Sequence, residues 1–529
     1  MPSDCISYQD SGYFSNLIVD YLNQKPELKS WYNRFPTLDN FKDQIEEKAL
    51  SFTDEKRAVL LASLTKQYEN FDLSDGTKTN LDLLAKKTTF TVTTGHQLNL
   101  FTGPLYFLYK IVSAINLARE LKSKYPEYDF VPVYWMATED HDFEEISHFN
   151  FKGKKFRWNR ESSGAVGRLS AKGLDDVLEL FKLDLGPSEN AKKIATLFEN
   201  AYLQHENLAD ATRWLANALF GSYGLVIVDG DDKSLKSIFA PYVKQELTQQ
   251  VSFSKVSETI RNFAPYDVQV NPREINLFYL EDNLRERIVF EDGSYRVNGT
   301  SLSFSEAEIL SEVENHPEKF SPNVIMRPLY QEVILPNLCY IGGGGEIAYW
   351  LEIKSFFDAV GVTFPMLLVR NSVLLSSEKQ AKKADTLGLS WKDLFRKQSE
   401  LINLKVSQIS DFPLHLLPHK LALQKQFDDL LALAEQTDKS FTGAVKAQQA
   451  KQLKGLENLE KRFIKAQKRK HADELERLTQ LQNELFPFQG LQERKANFSE
   501  FFLSEGDRLI PLLLSRLKPL DQQFEVVVI

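Results

Sequence analysis

The residues best equipped for chemistry lie in 138-TEDHDFEEISH-148. Glu139, Asp140, His141, Asp142, Glu144, Glu145 and His148 fall there within eleven residues. Carboxylates beside an imidazole can fix its tautomer, supply a general base or hold a divalent metal. Histidine with acids suits magnesium poorly as an all-protein ligand set. The expected chemistry is therefore catalytic work by His141 with Glu139, Asp140 and Asp142 around it, and no permanently bound metal is expected. An acidic surface turn has a similar composition, but it seldom follows directly on a run as apolar as 131-VPVYWM-136.

Two further segments suit binding. In 94-TGHQLNLFTGP-104, Gly95, His96 and Gln97 follow a strand-like run, and Gly103-Pro104 precedes a helical pattern. A glycine lets a ligand approach the backbone, proline costs nothing in a first helical turn, and free N–H groups at a helix start attract anions. A tight, capped β-to-α connection would look alike. The segment is neither a dinucleotide fingerprint nor a P-loop, since Lys110 lies well inside the helix. In 342-GGGGE-346, Gly342, Gly343, Gly344 and Gly345 could form an anion-holding nest, with Glu346 opening the helix that follows. Arg327 is a reasonable carboxylate or phosphate clamp. The stretch 228-VDGDD-232 fits a ribose, an amine or a plain turn, and histidines 205, 316, 415, 419 and 471 lack acidic company.

These clusters need elements to position them. The run 89-TFTVTT-94 suits a strand, residues 104–123 carry helical apolar spacing, and 130-FVPVYWMA-137 suits a buried strand. Strand, helix, strand in about 45 residues makes a right-handed βαβ unit. Ligands of such sheets bind beyond the C-terminal strand ends, where both polar clusters fall. The expected layout is a Rossmann-like α/β core over 1–375, with a helical and basic insertion at about 149–215 and a β-rich one at about 265–310. A helical coiled-coil arm over 376–487 follows, then a return to the core over 488–529. In the arm, Leu456, Leu459, Phe463 and Ala466 continue as Leu475, Leu478, Leu481 and Leu485 after a slip around Arg469–Asp473. The segment 422–441 is the expected antiparallel partner, and 524-FEVVVI-529 reads as a terminal strand.

A formal net charge of −9 lowers the expectation of nucleic-acid binding. Two distant cysteines, Cys5 and Cys339, make neither a disulfide framework nor a zinc site. The first residues do not read as a signal peptide, and no apolar run of 18 residues is present, so a cytoplasmic protein without membrane partners is expected.

The motifs 94-TGHQLNLFTGPLYFLYK-110, 130-FVPVYWMATEDHDFEEISH-148 and 327-RPLYQEVILPNLCYIGGGGEIAYW-350, with the helical arm, resemble the bacillithiol biosynthesis cysteine-adding enzymes. The resemblance runs in the same order over essentially the whole chain. It implies a Rossmann-like core related to nucleotidyltransferases and class I aminoacyl-tRNA synthetases, and a coiled coil that supports a homodimer. It implies a ligase that joins L-cysteine to the glucosamine amine of glucosaminyl-malate. Gly95, His96 and Gln97 fall on the family's first motif, and Glu139, Asp140, His141 and Asp142 on its acidic-histidine motif. Gly342, Gly343, Gly345 and Glu346 fall on its glycine-rich motif, with Gly344 where proline is more usual. Amide formation in water is uphill, so ATP or a related nucleotide, with Mg2+ accompanying it, is expected. In this reading His141, oriented by Asp140 or Asp142, takes the amine's proton, while His96 only lines the cleft beside Gln97. The alternatives are a non-catalytic accessory protein that binds nucleotide or sugar-malate, and a nucleotidyltransferase acting on another small molecule.

Overall fold

The structure is a computed structural model that describes residues 1–437 and 439–529. The chain divides into two compact units. One comprises Cys5–Leu374 with Leu491–Val527; the other comprises Met1–Asp4, Leu375–Gly490 and Val528–Ile529.

The first unit is built on a five-stranded parallel sheet. Its strands are β1 (Thr89–His96), β2 (Asp129–Met136), β3 (Val226–Asp229), β9 (Asn337–Gly342) and β10 (Met366–Val369), in the spatial order β10-β9-β1-β2-β3. Counted along the chain this is the order 3-2-1-4-5 of a doubly wound Rossmann sheet. The chain reverses its direction of winding between β1 and β9, and this switch point is where such sheets bind ligands. All eight residues of β1 and all six of β9 are buried, which explains why these strands read as continuous runs without alternation. Helix α1 (Tyr106–Lys124) crosses from β1 to β2 and packs on both. Below the switch point Phe90, Val92, Leu117, Leu338 and Ile341 share one core.

Between β2 and β3 come the short helix Phe143–Ile146, a hairpin (His148–Phe151 with Lys154–Arg157) and three longer α-helices. Between β3 and β9 come α2 (Lys233–Gln249) and an antiparallel sheet. That sheet comprises β4 (Leu277–Glu281), β5 (Leu284–Glu291), β6 (Ser294–Val297), β7 (Ser303–Phe304) and β8 (Phe320–Pro322), and α3 (Met326–Ile334) follows it. After β9, α4 (Gly344–Glu352) starts at once. Near the C-terminus β11 (Gln523–Val528) lies in the centre of a three-stranded sheet.

In the second unit α5 (Leu417–Glu435) packs on α6 (Lys439–Lys470), and α7 (Ala472–Leu485) follows. Of the expected partner segment 422–441, residue 438 lies outside the described residues. The slip in the leucine stripe is a real interruption: His471, at φ −110°, ψ 28°, separates α6 from α7. Leu475, Leu478, Leu481 and Leu485 are buried beyond it, whereas Leu459 and Phe463 before it stay exposed. Among the described residues no helix is long and apolar enough to cross a membrane.

Candidate functional site

The acidic-histidine segment follows β2 and turns sharply. Asp140 organises the turn: one carboxylate oxygen accepts the N–H groups of His141 (2.7 Å) and Asp142 (3.4 Å), and the other accepts Gln97 Nε2 (2.8 Å). Gln97, from the end of β1, thus ties the two strand ends together across the sheet. Asp142 is spent as a cap, accepting the N–H of Glu145 at the start of the short helix Phe143–Ile146. Around this turn lies an open cleft of about 630 Å³ lined by Gln97, Asp140, His141, Glu145, Arg160 and Ser162 among others. Burial pushes the Asp140 carboxyl up, but Arg285 and the hydrogen bonds from Gln97 and the backbone outweigh it and hold the group below its ordinary value. Burial raises the Glu145 carboxyl, with only partial relief from Gln97.

The imidazole of His141 is not oriented by a carboxylate, contrary to expectation. Asp140 Oδ1 stands 3.7 Å from its Nδ1, and Asp142 faces its own helix. The partner is Arg285 on β5, whose Nη1 lies 2.6 Å from His141 Nδ1. Burial first and Arg285 second hold the ring below its ordinary value. Glu139 also departs from the expected quartet. It is buried and its Oε1 lies 2.6 Å from Lys236 Nζ on α2. Lys236 also meets Asp231, whose carboxylate is gripped by Arg168 at 2.8 and 3.0 Å. The 228-VDGDD-232 stretch therefore supplies a buried ion-pair network, with Glu139 as its member.

The other wall of the switch point is built from the glycine-rich turn. Glu346 accepts the Gly343 N–H (2.9 Å) and the Tyr340 hydroxyl (2.8 Å), and it meets Lys110 Nζ at 2.6 Å. Burial would raise its carboxyl, but Lys110 and these donors hold it at about 2. Lys110 is 4 % exposed and also donates to the Gly95 carbonyl at 2.7 Å. Arg327, on α3, donates to the Tyr349 hydroxyl at 2.8 Å, and its Nη1 lies 3.4 Å from where a Cβ on Gly95 would stand. Gly95 is thus hemmed by Arg327 and Tyr340. The four glycines do not form a nest, because none of them has a positive φ. They form a strand end and a helix start, and the amides of Gly344 and Gly345 open α4 without an intrahelical acceptor. A Cβ on Gly345 would meet nothing within 4 Å, so the backbone there is open to a ligand.

Two expected residues do not reach the cleft in the expected way. Gly103 is closed in: its carbonyl accepts Asn497 Nδ2 (2.7 Å), and the neighbouring Leu105 N–H is taken by the Ala496 carbonyl (2.8 Å). The start of α1 is therefore capped by protein and offers no anion site. Gly103 is required there for its φ of +62° and because a Cβ would stand 2.5 Å from Asn99. His96 is 7 % exposed and packs between Tyr106 and Phe107.

Lys110, Lys236 and Arg285 are not legible as site residues in the sequence. Lys110 is far along its helix from the strand end it serves. Helical side chains lean toward the N-terminus, so a lysine one turn inside α1 reaches back to the strand end. Arg285 carried no local signal, as it sits among the charges of 284-LRERIVFE-291.

Fold and cleft together define a Rossmann-like α/β protein with a polar cleft beyond the C-terminal ends of β1 and β2 and a helical C-terminal unit. Two family models cover almost the whole chain. "Bacillithiol biosynthesis BshC, N-terminal Rossmann-like domain" matches residues 1–371, and "Bacillithiol biosynthesis BshC, C-terminal coiled-coil domain" matches residues 373–529. The chain belongs to the BshC family. It is similar to a protein of Flavobacterium johnsoniae, 67% identical over all of both chains, and to one of Flavobacterium psychrophilum, 60% identical over 100% of this chain and 99% of the other. A more distant relative from Staphylococcus carnosus is 27% identical over 92% and 93% of the two chains. All three bear the name "Putative cysteine ligase BshC".

Proposed function

We infer that the protein is a ligase that joins L-cysteine to the glucosamine amine of glucosaminyl-malate, forming bacillithiol. The observation that carries this reading is the end-to-end match to the BshC family and to full-length relatives named as cysteine ligases. The cleft is consistent with it chemically. Its lining is mostly acidic (Asp140, Asp142, Glu144, Glu145) and suits an ammonium group, and Arg160 adds a cation that suits a carboxylate; at the glycine-rich turn, the amides of Gly344 and Gly345 lack intrahelical acceptors and suit an anion.

A nucleoside triphosphate, when bound, supplies the activation that makes amide formation favourable in water. The open backbone at Gly345, with the free amides of the helix start, would fit its phosphates, and magnesium would accompany the nucleotide. The kinship of the core with nucleotidyltransferases and class I aminoacyl-tRNA synthetases belongs to the same reading, supported by the 3-2-1-4-5 strand order. The chain's own residues then have distinct tasks. Gln97 and Asp140 fix the floor of the cleft, His141 meets the reacting groups, and Glu145, with its carboxyl raised, is placed to receive the proton that the attacking amine sheds. Glu139 acts only through the Lys236 network. Among the described residues no group of three or more His, Cys, Asp or Glu is placed to hold a metal. The arm joins two copies in a cytoplasmic homodimer.

The test is an assay of purified protein with cysteine, glucosaminyl-malate, ATP and Mg2+, read by mass spectrometry of the thiol product. Bacillithiol whose formation consumes ATP in step with product is expected. Failure to form product across nucleotides and metals would return the protein to an accessory, binding role.

A further inference from the structure

The antiparallel insertion delivers Arg285 to the core's cleft, and the contact it makes there constrains what His141 can do. A guanidinium has donors and no acceptor, and it stays protonated in proteins. The imidazole nitrogen 2.6 Å from Arg285 Nη1 must therefore present a lone pair. That nitrogen is Nδ1, so the ring proton sits on Nε2. Arg285 cannot easily swing away. Its Nε donates to Ser321 Oγ (3.0 Å), its Nη2 to the Pro322 carbonyl (3.2 Å), and its plane lies over Phe278 at 4.1 Å. Phe278 also packs against the His141 ring, with centroids 5.5 Å apart. The charged groups facing this ring are Arg285 and Glu286 from β5 and Asp140 and Asp142 from its own loop. Asp140 is occupied by backbone N–H groups and Gln97, and Asp142 by its helix, so neither carboxylate competes for the ring.

We propose that Arg285 is a positioning residue that locks His141 as the neutral Nε2–H tautomer, so that His141 serves the ligase reaction as a hydrogen-bond donor and not as its base. The donor's target is oxygen that gains negative charge during acyl transfer, where one preorganised donor is worth about 10²–10³ in rate. The proposal rests on the ligase reading for its reaction, but the tautomer itself does not.

The experiment combines spectroscopy and kinetics on the full chain. Histidine ring nitrogens are labelled with 15N, and the His141 signals are assigned by their loss in His141→Gln. The wild type should show the Nε2–H tautomer at neutral pH. Arg285→Gln should give mixed tautomers and a higher titration point, with kcat reduced by about 10²-fold and little change in KM. Arg285→Lys, which keeps a donor, should restore the tautomer. Glutamine at 141 offers an N–H near the place of Nε2, so His141→Gln should stay within about tenfold of wild type while His141→Ala loses about 10²–10³. A wild-type ring carrying its proton on Nδ1, or His141→Gln as inactive as His141→Ala, would overturn the proposal. If Arg285→Gln fails to fold, the wild-type spectrum and the two His141 variants decide alone. Absence of turnover in the wild type would sink the ligase reading while leaving the tautomer measurement intact.

Discussion

At the scale of single residues, the cleft separates side chains that look alike in sequence. His96 ends one core strand and His141 follows another, yet their surroundings set them apart. His96 is buried among aromatic rings, and burial first, then the charge of Lys110, pushes its ring down to about 3. Its folded value lies below the ordinary 6.5, so between these two values the unfolded chain binds the extra proton. Stability is therefore full above about 6.5 and is lost as pH falls toward 3. His96→Gln removes this titration. Between pH 7 and pH 4.5, urea unfolding should show the wild type losing on the order of 2–3 kcal/mol more than His96→Gln. Parallel losses in the two proteins would show that His96 is not a source of the acid sensitivity. The sequence marks His96 as a lining residue. The partners of Lys110 and Arg285 are not legible in it, because these depend on which distant strand ends the sheet order brings together.

At the scale of elements, the glycine-rich turn shows which features are legible locally. The helix opened by Glu346 is legible in 342-GGGGEIAYW-350, and α4 occupies it; the strand β9 before it carries no separate signal. The reason for each glycine was not readable. A Cβ on Gly342 would stand 2.9 Å from Glu346 Cβ and 3.0 Å from Tyr340, whereas at Gly345 it would meet open space. Gly342 is thus needed for packing and Gly345 for access. Gly342→Ala should destabilise the fold by about 1–3 kcal/mol through the crowded Glu346 and Tyr340. Gly345→Ala should leave the melting temperature near that of wild type, or slightly raise it because alanine favours the helix, while weakening nucleotide binding measured by calorimetry. Equal stability losses in both variants would contradict this division. The helical stripe was legible for a similar reason: its slip marks His471, where α6 ends and α7 begins. Periodicity reports a break in a helix faithfully, but not which side of the break is buried, because burial depends on what packs against it.

At the scale of the whole molecule, long-range pairs complete the core. Arg370 at the end of β10 and Glu493 in the returning segment form a buried bidentate pair at 2.8 and 3.0 Å, and neither residue carries a sequence signal. The coiled-coil unit presents the opposite case, with apolar side chains left on its surface. Helices α5 and α6 pack on each other, yet Leu421, Leu430 and Leu433 on α5 remain 58 %, 47 % and 58 % exposed, and Leu459 and Phe463 on α6 are exposed as well. Scattered apolar residues are ordinary on a surface, but Leu430 with Leu433 on α5 and Leu459 with Phe463 on α6 stand three or four residues apart, each pair on one helix face, as in a further helical contact. A second copy of the chain is the partner that the homodimer reading supplies. Replacing Leu421, Leu430 and Leu433 together by Glu should therefore abolish self-association and halve the mass measured by sedimentation equilibrium. The far-ultraviolet helical signal should persist, because exposed positions contribute little to the folded state of one chain. A wild type that sediments as a monomer, or a triple variant that stays dimeric with its helices intact, would place the contact elsewhere or remove it altogether.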